Sequence, residues 1–484
     1  MSKFNANVTT KTVNKCGVPA FRMDVKDKLV SQVLTTFFNE PKFYGDNSEE
    51  IIENIKAVLE IDPGFVANLA MYARKEMHLR SISHVLVAEL ANHNNGKPFA
   101  REAIAEVVER VDDITEILSY HLATYGKPIP ASMKKGIADA FSKFDEYQLA
   151  KYNRKKEIKL KDVLNLVHPK PLNSAQSNMW KRLLDGSLAT PVTWETELSA
   201  KGNTKEVWES LIAENKLGYM AMLRNLRNII QADVSNIGKV YEFLSDEKNV
   251  LRNKQLPFRY YSAYNALKGL GTSKLFDALE KAIKISTRNI SRLEGKTLIA
   301  ADVSGSMTYS ISNRSTVTSA EIATLLLSIA NYICDETITV TFDTDLYMCS
   351  LPTTNGIISN ANSIDINGGG TDITLPFRYL INNKIYVDRI IILSDNEINS
   401  NWDQERSGWG RSVPCQSVAE KYRREVNPDV WIHAIDLQGY GTQQFKGKNT
   451  NIIAGWSERT LEFIALAEQG VDTLRRRIEE YKGR

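Results

Sequence analysis

The sequence has few cysteines and no long apolar run. Its 484 residues include four cysteines, Cys16, Cys334, Cys349 and Cys415, and no two of them form a CxxC pair. Such sparse, scattered cysteines exclude a disulfide framework and indicate reduced thiols in a cytosolic protein. No uncharged apolar run approaches the roughly 18 residues that a membrane helix needs, and the first residues lack the apolar core of a signal peptide. We therefore expect a cytoplasmic protein without a membrane partner.

The sequence also lacks the common catalytic motifs. It contains neither an HExxH motif nor a GxSxG nucleophile elbow, and no two of its six histidines are four residues apart. Gly295-Lys296-Thr297 is similar to the end of a phosphate-binding loop, but Ile290 stands where the first glycine would be, and the segment precedes a predicted strand. Asp343 and Asp345 are paired carboxylates of the kind a nuclease uses, although polar loop residues fit them better. We expect no enzymatic activity.

Charge is divided unevenly along the chain. The whole sequence has a formal net charge of +3, but residues 1–290 carry +8 and residues 291–484 carry −5. Opposite signs in two parts of a chain indicate two domains with different partners, and a basic domain favours phosphate-rich ligands. An excess of this size also fits chance surface composition. We predict one domain over residues 1–290 and a second over residues 291–484.

The first part has the apolar spacing of successive amphipathic helices. Ile51, Ile55 and Leu59 fall on one face of a 3.6-residue period, and the same pattern recurs as far as Phe141. Turn-forming residues with glycine and proline separate these segments. Short loops between similar helices predict an irregular α-solenoid of stacked hairpins, with a globular helical bundle as the alternative.

Basic residues cluster within this helical part. The densest stretch begins at Lys151, includes Arg154 and Lys155, and runs on to His168. Lysines and arginines with rings nearby suit the phosphates and bases of a nucleic acid, whereas the simpler interpretation is a solvated helix face. A second group holds Arg224 and Arg227, and a third lies beside the aromatic residues 258–264, which either stack on bases or belong to the core.

The second part changes to a strand pattern near Gly295. Short apolar runs at 297–302, 338–343, 389–395 and 430–436 end in acids and alternate with helical stretches, which predicts a mostly parallel α/β sheet. Ligands of such sheets bind at the carboxyl ends of the strands. Five oxygen-bearing side chains follow these ends and suit Mg²⁺ or another divalent cation: Asp302, Ser304, Ser306, Thr371 and Asp395.

These five residues resemble the metal-ion-dependent adhesion site of von Willebrand factor A domains. All five positions match that site in type and in order along the chain. The resemblance implies a doubly wound α/β domain with a divalent cation at the site. The alternative is that the same residues only hold the loops together and bind no partner.

Nearly the whole chain is similar to the Ro autoantigen family, whose members carry the TROVE module, in its bacterial or phage form. The matching segments include the opening loop, where Cys16 stands in place of a frequent glycine, and the helical signatures around Arg74 and Arg80. The most specific match is 161–171, and further matches are 222–226, 369–376 and 394–397.

The resemblance implies a ring of HEAT-like helical repeats closed by the A domain. It implies binding of small noncoding Y RNAs and of the single-stranded 3′ ends of misfolded RNAs, in RNA quality control or processing. An exoribonuclease is an implied partner, and one chain makes the ring as a monomer. The alternative for the arginines in the helical signatures is that they bridge neighbouring repeats and do not contact RNA. The implied RNA-contacting residues are Lys151, Arg154, Lys155, His168, Arg74, Arg80, Arg224 and Arg227.

Two other functions stay open at this stage. Helical solenoids and A domains often bind proteins, so the chain would act as an interaction scaffold whose metal site captures an acidic residue of a partner. An RNA-cleaving enzyme would instead form products in a metal-dependent reaction that needs Asp302.

Overall fold

A computed structural model describes ten stretches of the chain: residues 10–13, 19–22, 24–35, 48–153, 158–311, 317–395, 415–438, 442–454, 459–469 and 471–483. The chain folds into two compact units. One contains residues 48–202 together with 475–484, and the other contains residues 1–47 together with 203–474. Within the described stretches, no helix is both long enough and apolar enough to cross a bilayer.

The chain opens with a small sheet and one helix. Strands β1 (Thr10–Val13) and β2 (Pro19–Arg22) pair antiparallel, and α1 (Val25–Thr35) follows them. β2 also pairs with a short strand from late in the sequence, through Phe21 and Gln443 and through Arg22 and Thr442. These opening residues therefore belong to the unit that holds the C-terminal half of the chain.

The described residues of 48–202 form a run of ten helices, which confirms the helical reading of this region. In α2 the stripe Ile51, Ile55, Val58 and Leu59 is fully buried, as the period predicts. Each helix packs chiefly on helices close to it along the chain, as in stacked hairpins. The ten are α2 (Ser48–Ile61), α3 (Pro63–Lys75), α4 (Ser81–Asn92), α5 (Lys97–Val107), α6 (Val111–Tyr125), α7 (Ala131–Phe141), α8 (Glu146–Tyr152), α9 (Leu160–Val167), α10 (Ser174–Asp185) and α11 (Trp194–Lys201).

A buried carboxylate joins four of these helices. Asp113, in the first turn of α6, is fully buried and accepts from the Nη2 of Arg74 in α3 at 2.9 Å and from the Nε of Arg80 at 2.5 Å. The Nε2 of His84 in α4 lies 3.1 Å from the same carboxylate, and the Nε of Arg74 donates to the carbonyl of Val107 in α5. Burial opposes ionisation, but His84 and the two arginines outweigh it and hold the pKa of Asp113 well below its usual range.

The last residues of the chain return to this helical unit. The ring of Tyr481 lies edge-on to Tyr72 of α3, with centroids 5.5 Å apart, and its hydroxyl donates to Glu76. The side-chain amide of Asn68 donates to the carbonyl of Glu479 at 2.7 Å. Residues that are about 400 positions apart in sequence thus share one packed surface.

Six further helices belong to the second unit. In their core the hydroxyl of Tyr260 donates to that of Tyr219 at 3.0 Å, which in turn donates to the carbonyl of Leu244. Phe258, Tyr260 and Tyr261 are all buried, so the aromatic group at 258–264 is mainly a core element. These helices are α12 (Lys205–Ala213), α13 (Tyr219–Gln231), α14 (Ile237–Ser245), α15 (Glu247–Asn253), α16 (Pro257–Leu267) and α17 (Ser273–Ser286).

A six-stranded sheet follows and confirms the predicted α/β architecture. Its order is β5-β4-β3-β6-β7-β9, and every neighbouring pair is parallel except β4 and β5. The four predicted strands are β3, β4, β6 and β7. The elements are β3 (Leu293–Asp302), α18 (Ser319–Ile333), β4 (Cys334–Phe342), β5 (Leu346–Met348), α19 (Ile357–Asn362), α20 (Leu375–Asn382), β6 (Arg389–Ser394), α21 (Cys415–Glu425), β7 (Trp431–Asp436), β8 (Thr442–Gln443), β9 (Thr450–Ala454), α22 (Arg459–Glu468) and α23 (Val471–Glu479).

Helices cover the sheet, and one of them is fastened to the preceding helical region. Residues of α20 and α21 share an apolar core with one face of the strands, while α18 packs on β3 and β4 outside that core. The Glu280 carboxylate of α17 accepts from the backbone N–H of Ile358 at 2.9 Å and of Ser359 at 3.2 Å, at the start of α19. One compact unit therefore extends across residue 290.

A second buried ion pair holds α22 on the sheet. The guanidinium of Arg389 donates to both carboxylate oxygens of Glu468, at 2.7 and 2.8 Å, and the Nε2 of His433 lies 2.9 Å from the same carboxylate. Burial opposes the charge of Glu468, but the bonds from His433 and Arg389 outweigh it and lower its pKa to about 2.

We predict that Asp113→Asn lowers the free energy of unfolding of the helical unit by about 3 kcal/mol, because it removes the buried countercharge of Arg74 and leaves that guanidinium with the more exposed carboxylate of Glu109, 3.4 Å away. Chemical denaturation of the full chain, followed by circular dichroism, measures the loss. Asp139→Asn is the matched control, since Asp139 pairs with Arg101 on the exposed surface and its loss has little effect. Equal stability of the two variants would contradict the role of Asp113.

The Glu468 pair predicts an acid-sensitive stability. Because the folded-state pKa lies below the ordinary value of 4.5, the carboxylate stabilises the fold above about pH 5, and this stabilisation disappears as the pH falls towards 2. Glu468→Gln should cost about 3 kcal/mol at pH 7, and the difference from the unsubstituted protein should shrink on acidification. Asp335→Asn, which removes an exposed partner of Arg292, serves as the control. A pH-independent difference would disprove the linkage.

Candidate metal site and basic surfaces

The parallel pairing of β3 with β6 brings the first acidic residues together. Ala301 is in register with Leu393, so the next residues, Asp302 and Ser394, leave the sheet at the same edge. The hydroxyl of Ser394 donates to Asp302 Oδ2 at 2.7 Å, and the backbone N–H of Ser304 donates to Oδ1 at 2.9 Å. These two bonds fix the orientation of the Asp302 carboxylate.

Two loops meet over this edge. The hydroxyl oxygens of Ser304 and Ser306 lie 3.4 Å apart in the loop after β3. The N–H of Gly305 donates to the carbonyl of Gly369 at 2.8 Å, and the N–H of Gly368 donates to the carbonyl of Val303 at 3.0 Å. Gly368 has a φ of +79°, a backbone conformation in which a residue with a side chain would be strained. These contacts hold the glycine loop that carries Thr371 against the loop that carries the serines.

The residues fit a hard divalent cation. Asp302, Ser304, Thr371 and Asp395 are all buried, and Ser306 is half-buried. Burial and the neighbouring Asp395 carboxylate raise the pKa of Asp302 well above its usual range, because two like charges share a dry site. A cation would relieve this repulsion. In the described part of the chain no three Asp, Glu, His or Cys side chains form a metal cluster. The two carboxylates and the three hydroxyls would together make an oxygen set of the kind that suits Mg²⁺.

The sequence reading missed one residue at this edge, because Ser394 is a direct partner of Asp302. Asp343 is a polar loop residue at the end of β4, as expected, and it is buried. The backbone carbonyl of Asp343 accepts from Asp372 at 2.8 Å, and a Cβ added at Gly369 would lie only 2.8 Å from its carboxylate. For Ser394, the position at the end of β6 was the signal, because strand ends of one parallel sheet converge.

The predicted RNA-contacting residues that the structure describes are divided between the two units. Lys151 lies half-buried in the last turn of α8, and His168 is exposed at the end of α9 with a left-handed φ of 44°. Both belong to the unit of residues 48–202. Arg224 and Arg227 are exposed on α13, whose opposite face is buried, and they belong to the other unit. Arg154 and Lys155 lie outside the described residues.

Arg74 and Arg80 are turned towards the helical core. Arg74 is buried, and both guanidinium groups contact Asp113, so these side chains join α3 and the start of α4 to α6. These contacts bridge neighbouring helices. Such bridging is the alternative considered above for arginines in the helical signatures. We therefore base no RNA contact on either residue.

Comparison with known proteins identifies both parts of the chain. The family model described as the TROVE domain matches residues 23–186 and 181–314, and the model described as the Ro60 vWA domain matches residues 296–427. A relative named RNA-binding protein RO60, from Deinococcus radiodurans, is 24% identical over 64% of this chain and 68% of its own length. The telomerase protein component 1 of Rattus norvegicus is 26% identical over 45% of this chain, which spans only 12% of that relative.

A solved structure has the same fold. The crystal structure of the Deinococcus radiodurans RO protein superposes with a TM-score of 0.66 at 18% sequence identity, and the match covers 92% of this chain and 100% of the other. The two TROVE matches together span more than half of the sequence, and they end where the A-domain match has begun. The chain belongs to the TROVE domain family, with a C-terminal von Willebrand factor A domain of the Ro60 type.

Proposed function

We propose that this chain is an RNA-binding protein. The observation that carries the proposal is the segregation of charge in the first helical unit: residues 48–126 hold seven lysines and arginines against 13 aspartates and glutamates, whereas residues 127–182 hold 13 against five. Many of the cations in the basic segment are on the surface, where phosphates can reach them. The exposed lysines of this segment include Lys127, Lys135, Lys159, Lys161, Lys170 and Lys181.

The kind of RNA follows from the family resemblance and from the chemistry of these contacts. Lysines that contact phosphates give affinity without reading sequence, which suits a protein that handles many defective RNAs. We propose Y-type noncoding RNAs and the single-stranded 3′ ends of misfolded RNAs as ligands, with an exoribonuclease as a protein partner. The chain would act as a monomer in a cytoplasmic ribonucleoprotein. The name of the Deinococcus relative, RNA-binding protein RO60, supports RNA as the class of ligand.

Charge reversal in the basic segment tests the proposal. We expect Lys161→Glu combined with Lys170→Glu to weaken binding of a single-stranded RNA and to lower the slope of log Kd against log salt by about 1.4. Fluorescence anisotropy over a series of salt concentrations measures both. The matched control reverses two exposed lysines of the acidic segment, Lys56→Glu with Lys97→Glu, and should leave the slope nearly unchanged. Equal slopes in the two variants would reject the basic segment as the RNA surface.

We further propose that the A domain binds Mg²⁺ through Asp302, Ser304, Ser306, Thr371 and Asp395. When bound, such an ion supplies an open coordination position for an acidic ligand. Ser306 supports this because it is only half-buried while the other four residues are buried, so the set opens on its side. Capture of an acidic residue of a protein partner is therefore a second candidate function of this domain. The chain would bind RNA without cleaving it.

Thermal unfolding with and without Mg²⁺ tests the metal site. Millimolar Mg²⁺ should raise the unfolding temperature of the unsubstituted protein, since a ligand that binds only the folded state stabilises it. Asp302→Asn should abolish this rise, while the metal-free variant stays at least as stable because the repulsion from Asp395 is relieved. Asp345→Asn, which removes an exposed carboxylate of a neighbouring loop, should keep the response. A full response in Asp302→Asn would exclude this site.

A further inference from the structure

Two tyrosines and two cations alternate on the surface at the end of α8. The Nζ of Lys151 lies 6.0 Å from the ring centroid of Tyr147 and 5.7 Å from that of Tyr152. The guanidinium carbon of Arg110 lies 5.2 Å from the centroid of Tyr152. Both distances to Tyr152 are within cation–π range, so this ring has two positive neighbours. The resulting order in space is Tyr147, Lys151, Tyr152 and Arg110.

The Tyr147 ring is the open member of this group. Its side chain is 55% exposed, whereas Tyr152 is half-buried and flanked by cations. Its one positive neighbour, Lys151, leaves most of the exposed ring accessible. A ring that is open to solvent beside a positive charge can accept a second π-system on its face.

The surroundings fix the group in place before any ligand binds. The guanidinium of Arg110 donates to both carboxylate oxygens of Asp112, at 3.1 and 3.2 Å. The Asp145 carboxylate accepts from the N–H of Gln148 at 2.7 Å and caps α8 at its start. The acidic neighbour Glu146 is paired with Arg182 at 2.5 Å, so its charge is offset. Arg110 and the start of α8 would therefore lose little conformational freedom when a ligand docks.

We infer that Tyr147 is a stacking platform for an unpaired nucleobase, with Lys151 and Arg110 contacting the phosphates of the same strand. This inference rests on the proposed RNA-binding function and assigns a base-contacting subsite within it. Alternating rings and cations match the alternation of bases and phosphates along a single strand. A duplex keeps its bases stacked on each other and cannot present one to Tyr147. The subsite would therefore favour unpaired segments with little sequence preference.

Oligonucleotides with and without bases separate stacking from charge. The probes are a single-stranded oligoadenylate of about 12 nucleotides and an abasic strand with the same number of phosphates. Tyr147→Leu should weaken binding of the oligoadenylate by about fivefold or more and leave the abasic strand within about twofold. Tyr147→Phe keeps the ring and should bind like the unsubstituted protein. Lys151→Gln should weaken binding of both strands.

Tyr386→Leu is the matched control, because Tyr386 is 53% exposed in the A domain and should affect neither probe. Circular dichroism of each variant checks that α8 and its neighbours remain folded. If the unsubstituted protein binds the oligoadenylate and Tyr147→Leu binds it equally well, the stacking subsite is wrong while RNA binding stands. A loss of equal size for both strands also overturns it. If the unsubstituted protein binds no single-stranded RNA, the proposed function fails as well.

Discussion

The parallel pairing of β3 with β6 is the constraint on which the candidate metal site depends. Parallel neighbours end at the same edge of a sheet, so the residues that follow Ala301 and Leu393 must meet there. Burial then removes water from the two carboxylates, and their repulsion makes the edge a place that favours a cation. The glycine loop completes the arrangement because its backbone bonds to the serine loop. A cation site at this edge, as proposed, would thus be a consequence of topology more than of any single residue.

The helical unit depends on a different buried charge. The carboxylate of Asp113 contacts two guanidinium groups, the Nε2 of His84 and two backbone N–H groups. Because one of these guanidinium groups also bonds to α5, this side chain fixes α3, α4, α5 and α6 relative to each other. A buried carboxylate of this kind has one arrangement in which all its bonds are satisfied, which gives the repeat stack a definite geometry. The same interaction removes Arg74 from the surface. Cations that hold a helical stack together are therefore poor candidates for RNA contact, even where they lie in a family motif.

Surface charge and exposed rings carry the functional proposals. The acidic and basic segments of the first unit are consecutive in the sequence, so positive potential is concentrated over 127–182 instead of spread over the unit. The tyrosines and cations at the end of α8 add an exposed ring, that of Tyr147, on which an unpaired base can stack. The A domain separately offers an oxygen-lined edge for a cation. We thus propose two ligand classes for one chain, RNA at the basic helical segment and a divalent cation at the A domain.

Local patterns in the sequence determined the secondary structure and the positions of the candidate metal-site residues at the strand ends. Apolar spacing alone predicts the buried stripe of α2, and acids at the ends of apolar runs predict Asp302 and Asp395 at one sheet edge, because both depend on neighbouring residues and on a general rule of parallel sheets. Only the tertiary structure decided which charged residues face inward. Arg74 and Asp113 are 39 residues apart, and Glu280 meets Ile358 across 78, so no local period records these contacts. The burial of Asp343 and the close approach of its carboxylate to Gly369 also depend on the tertiary structure, because they arise only when the strands lie side by side.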